Sequence, residues 1–115
     1  GAPVKQWDVF SFPHPSRDDP HPCVILTPTE VLKNKDLELV NTLFCQTVRP
    51  LNRECGHWEV YLDKADGLDW KTLVKCNIIF QFKKSDALRI MGHVSEPRRR
   101  AIGKKLNEFF ALSGR

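Results

Sequence analysis

His21 is held between Pro20 and Pro22 at the mouth of an apolar run, in the stretch DDPHPCVILTP (18–28). Three uses are open to an imidazole there: a metal ligand, a proton donor or acceptor near neutral pH, or the last polar residue before a buried strand. A metal site needs company. The four histidines are scattered, and Cys23, Cys45, Cys55 and Cys76 form no Cys-x-x-Cys pair, so a zinc site would have to be assembled from distant segments. Cys23 and Cys76 sit inside apolar runs and read as buried thiols. No metal and no cofactor is expected.

The chain that must position these groups has 115 residues, enough for one core and too few for two, so 1–115 is expected to be a single domain. At 41% apolar and 28% charged residues the composition is that of a globular protein, which argues against disorder. A formal net charge of +4 permits an acidic partner, nucleic acid or peptide, without requiring one. With no signal peptide and no apolar run near ~18 residues, no membrane span is indicated and the cytoplasm is the expected location.

Periodicity predicts strands first and one good helix last. QWDVFSF (6–12) alternates, with Trp7 and Val9 on one face and Asp8, Phe10 and Phe12 on the other. The prolines of PHPSRDDPHP (13–22) exclude regular structure, so this is a loop. CVILT (23–27) reads as a buried strand, and TPTEVLKNK (27–35) as a short helix that Thr27 caps, with Pro28 in its first turn. Strands follow over 37–48, 57–62 and 89–94. The longest is TLVKCNIIFQF (72–82), with Val74, Cys76, Ile78, Phe80 and Phe82 sharing a face. His57, Tyr61 and Lys75 read as ordinary outward strand residues.

The final segment, 95–112, reads as a helix capped by Ser95 and closed by Gly114. Its apolar stripe is Ile102, Leu106, Phe109 and Phe110. Arg98, Arg99, Arg100, Lys104 and Lys105 are left for an outer face, more commonly solvated than nucleic-acid reading. The expected fold class is α+β, mainly β: a small SH3-like antiparallel barrel with a short helix after strand 2 and a C-terminal helix.

Taken in order, the segments resemble the MazF/PemK toxins of type II toxin–antitoxin systems, a group related to CcdB. KQWDVFSFP is similar to that family's opening strand, and HPCVILTPTEVL to its Arg-Pro, apolar strand and Ser-Pro-Asp segment. NTLFCQT stands where the family has an apolar strand ending in Ile-Thr-Ser. WEVYLDKADGLDWKTLVKCNIIFQFKKSDAL and RIMGHVSEPRRRAIGKKLNEFFAL resemble the remaining strands and last helix. The similarity covers nearly the whole chain and rests on order and spacing, since each motif is short.

The resemblance implies an SH3-like barrel and a homodimeric, metal-independent endoribonuclease that cleaves single-stranded mRNA and inhibits growth. It also implies a cognate antitoxin with an acidic, flexible tail. The chemistry asks for a base to help the 2′-hydroxyl attack its phosphate, an acid for the leaving oxygen, and donors for the developing charge. By position His21 replaces the family arginine before proline, and Gln46-Thr47 replaces Thr-Ser. The catalytic assignments that follow are His21 and Thr47, with Arg17, Gln46 and Arg49 as RNA contacts. Histidine transfers protons well but lacks arginine's permanent charge and fork of donors, so Arg17 and Arg49 are expected to supply charge. Two alternatives stand beside this reading: a catalytically degenerate module, or a CcdB-type toxin, acting by protein binding; and a barrel of unrelated function.

Overall fold

Alternation of apolar and polar residues builds six strands, which pair antiparallel in a single curled sheet of order β4-β5-β3-β2-β1-β6. They are β1 (Asp8–Phe12), β2 (His21–Ile25), β3 (Leu39–Thr47), β4 (Glu59–Leu62), β5 (Thr72–Lys83) and β6 (Arg89–His93). Helix α1 (Thr29–Leu32) follows β2, and α2 (Glu96–Phe110) ends the fold. This computed structural model describes residues 3–14, 16, 18–47 and 54–111. The architecture is the expected mainly-β α+β class with a C-terminal helix.

The sheet buries apolar side chains on both faces. Val9, Val24, Leu43, Cys45 and Val74 pack on the inner face beneath Ile102 of α2. Phe10, Phe12, Cys23, Ile25 and Val40 pack on the other, beneath Leu32 of α1. Strand period two explains the division, since neighbours along β1 and β2 fall into different clusters. Each fully buried side chain of this kind contributes about 1.5–3 kcal/mol relative to exposure.

Several local expectations need correction. β2 begins at His21, not Cys23: His21 pairs with Phe12 and Pro22 with Ser11. Proline is tolerated there because pairing to β3 begins only at Cys23. Thr27 does not cap α1. Pro28 holds the cap position, and the Thr27 hydroxyl accepts from the Asn41 N–H at 2.9 Å. Ser95 occupies the cap position of α2 without a side-chain bond to the helix, while Ala111 closes that helix in a left-handed conformation (φ 51°). Gly114 lies outside the described residues.

The single face expected along β5 is broken. Between the pairs Leu43↔Ile79 and Cys45↔Val74, β3 advances two residues and β5 five, so the sheet bends there. Val74 and Cys76 consequently join the inner core, Phe82 packs with the other cluster, and Ile78 is exposed. Lys75 does not point out as a solvated residue. It sits directly opposite Glu59 across β5 and β4, and the two form a largely buried ion pair.

The pairing gathers one rim of the sheet. β1 and β3 end there, and β2, β5 and β6 begin there, with the pairs Phe12↔His21, Thr47↔Thr72 and Ser11↔Arg89. Chain segments far apart in sequence thus meet along a single edge.

Candidate active site

On the outer face of that rim His21 stacks on Phe44, with ring centroids 5.3 Å apart, and meets His14 at 4.3 Å. The loop that the prolines dictate folds back so that β2 runs beside β1, bringing residue 14 against residue 21. His14 Nδ1 accepts a hydrogen bond from the Ser16 N–H at 3.0 Å, with Ser16 Oγ 3.3 Å away. A ring that accepts at Nδ1 carries its neutral-state proton on Nε2. Phe44 continues the row to Phe80 (5.4 Å), then Phe82 (6.0 Å) and Phe12 (4.6 Å). Six rings therefore run in sequence, and two imidazoles end the row at the rim.

On the inner side a cleft of about 240 Å³ opens at the same rim, lined by Pro22, Thr47, Thr72, Arg89, Asp69 and Trp70, among others. Trp70 is half exposed, a ring on which a base can stack, and Arg89 provides an exposed charge. The alternation of β3 places Thr47 with Cys45, and Gln46 with Phe44. His21 and Gln46 thus share the outer face, whereas Thr47 belongs to the inner cleft. Arg17 and Arg49 lie outside the described residues.

The remaining charged clusters are tied into the fold. Arg98 Nη1 donates to Asp63 and Asp66, both at 2.6 Å, and the Ser95 N–H donates to Asp66 at 2.8 Å. The Arg98 guanidinium and the Ala65 N–H hold the Asp63 carboxyl down at about 2. Burial pushes Asp66 up, but the N–H groups of Ser95 and Asp63, with Arg98, outweigh it and leave it below the usual range. His93 Nδ1 donates to Asp8 at 2.8 Å, and Arg99 donates to its Nε2. Arg100 pairs with Glu96 at 2.6 Å. The arginines expected on an outer face are therefore engaged.

No thiol is poised for attack among the buried cysteines. Burial pushes Cys23 up to about 11 against the Thr42 hydrogen bond, and Cys76 up to about 12; Cys45 is also raised by burial. Cys23 and Cys76 are buried thiols, as expected. Among the described residues no three histidine, cysteine, aspartate or glutamate side chains converge on one point.

Sequence reasoning missed His14, Phe44, Thr72, Arg89 and Trp70. One signal was present: Pro-His-Pro occurs twice, at 13–15 and 20–22. A loop closing between two strands brings such a pair together. Nothing comparable marked the cleft, whose residues come from the paired ends of β2, β3, β5 and β6 and from the loop before β5.

No family model matches the chain, and no curated protein matches it. Solved structures do. An endoribonuclease from a mycobacterial species, in complex with its cognate antitoxin, superposes with a TM-score of 0.76 at 16% identity, over 95% of this chain and 96% of its own. The Mycobacterium tuberculosis toxin MazF-mt6 gives 0.71 at 22% identity, over 91% and 97%. MazF from the MazE–MazF crystal structure of Deinococcus radiodurans gives 0.75 at 11% identity, over 97% and 99%. At these identities the likeness is one of fold.

Proposed function

We propose that this chain, which has the fold of the MazF toxins, is a growth-inhibiting endoribonuclease that cleaves single-stranded mRNA without metal. It acts in the cytoplasm as a homodimer and is restrained by a cognate antitoxin with an acidic tail. The observation that carries this reading is the fold match along nearly the whole chain to toxins of which one is described as an endoribonuclease bound to its antitoxin. No helix of the described residues is long and apolar enough to cross a membrane.

On this reading His21 and Thr47 at the rim, with Arg17, Arg49 and Gln46, supply the groups the reaction needs. His21 transfers a proton, and the Thr47 hydroxyl donates to a phosphate oxygen from the cleft side. Arg17 and Arg49 neutralise phosphates, and Gln46 offers an amide to a base edge. An RNA strand laid across the rim meets His21 on one side and Thr47 with Arg89 on the other. The net charge of +4 favours its approach.

The test is incubation of the purified protein with a long single-stranded RNA in the presence of a chelator. Discrete fragments ending in 2′,3′-cyclic phosphate are expected, and their loss in His21→Ala. Intact RNA, or cleavage undiminished in that variant, refutes the assignment. The separation of His21 and Thr47 onto two faces favours one other reading: a silent MazF-like module, or a CcdB-type toxin, acting by protein binding. Capture of gyrase or of an acidic peptide without RNA cleavage supports it.

A further inference from the structure

We infer that the site is a two-histidine site, in which His14 is the general acid and His21 the general base of RNA cleavage. The inference rests on the ribonuclease reading and names a catalytic residue for it. Its basis is geometric. The two rings lie in contact, with centroids 4.3 Å apart, at the rim end of the aromatic row. His14 also touches Phe44 edge-on at 6.2 Å, so both imidazoles and Phe44 belong to one assembly.

The division of labour follows from what holds His14. His21 stacks on Phe44 and, with His14 placed as the acid, takes the part of the base. His14 is held by Ser16, which can serve both protonation states: its N–H donates to the neutral ring, and its hydroxyl oxygen can accept from the imidazolium. Among the described residues His14 Nε2 makes no hydrogen bond, so that edge can face a ligand.

In the reaction, neutral His21 takes the proton of the 2′-hydroxyl as O2′ bonds to phosphorus. The bond from phosphorus to the 5′-oxygen breaks, and that oxygen leaves with the proton of His14 imidazolium. The products are a 2′,3′-cyclic phosphate and a 5′-hydroxyl. The pair has exchanged one proton, and solvent resets it.

The experiment replaces the leaving oxygen with sulfur, which departs without an acid. The cleavage site on a long RNA is mapped with wild-type protein. Oligonucleotides spanning it are then made with oxygen or sulfur at the 5′ bridging position. His14→Ala is expected to slow cleavage of the oxygen substrate about 100-fold. On the sulfur substrate it should differ from wild type by less than about threefold, while His21→Ala stays slow on both. A His14→Ala protein as fast as wild type on the oxygen substrate overturns the inference and leaves the ribonuclease reading standing. Equal loss on both substrates also overturns it, because a structural role predicts that result. Wild-type protein that leaves RNA intact overturns the ribonuclease reading and this inference with it.

Discussion

The rings of His93 and His14 differ in what engages their nitrogens. At His93 both are taken by protein groups: Asp8 accepts from Nδ1 and Arg99 donates to Nε2. A carboxylate orienting an imidazole resembles half of a catalytic triad. Here the second nitrogen is occupied, so the ring is a strut between β1, β6 and α2. At the rim His14 and His21 meet each other and Phe44, and the outer nitrogen of His14 bonds to no described residue. On the proposed reading the imidazole edge open to a ligand, and not the carboxylate beside a histidine, marks the catalytic site.

Exchanging the two sites' roles by mutation should fail in both directions, and this gives the largest expected effect. His21→Ala should lower the cleavage rate by about 10²–10⁴-fold while its melting temperature stays within a few degrees of wild type. His93→Ala should cleave normally but lose about 1–3 kcal/mol in urea unfolding, because the buried Asp8 carboxylate loses a partner. The reverse pattern would make His93 the working histidine.

The Arg98 network sharpens the comparison, since it too uses charges only to fasten α2. Arg98→Ala should cost about 2–3 kcal/mol with no change in the cleavage rate of folded protein. The acid limb also carries a sign. Asp63 is held at about 2 in the folded chain, against about 3.9 in an unfolded one. Its contribution is present above the unfolded value and is lost as pH falls through about 4 toward 2. Stability measured over that range should therefore fall less steeply in Arg98→Ala than in wild type.

Smaller effects belong to the cleft and the helix surface. Arg89→Ala should weaken RNA binding by about tenfold or less and reduce the salt slope by about one, as expected for a single phosphate contact. An unchanged slope would remove the cleft from the RNA path. Arg100→Ala, which breaks only an exposed pair with Glu96, should move stability by no more than about 0.5 kcal/mol.

Much of the fold was legible, because alternation forces strands to divide their residues between two faces. Val9 against Phe10 and Phe12 separated as predicted, and Ile102 seats α2. The bend in β5 was not legible: the alternation runs unbroken over 72–82, and only pairing to β3 inserts the extra residues. Lys75 read as an outward strand residue until its register put it opposite Glu59. At the site, position alone marked His21 and Thr47, but a linear pattern does not tell which face a strand end presents once the sheet curls. The second Pro-His-Pro was visible, and its meaning came from loop closure.

On the proposed reading RNA is cut at the rim, and not at the Asp8–His93 pair. The most direct measurement is the cleavage rate of a long single-stranded RNA in chelator by wild type, His21→Ala and His93→Ala, side by side. Discrete cyclic-phosphate fragments are expected from wild type and His93→Ala, and almost none from His21→Ala. Intact RNA with wild type, or equal rates for His21→Ala and wild type, would contradict it.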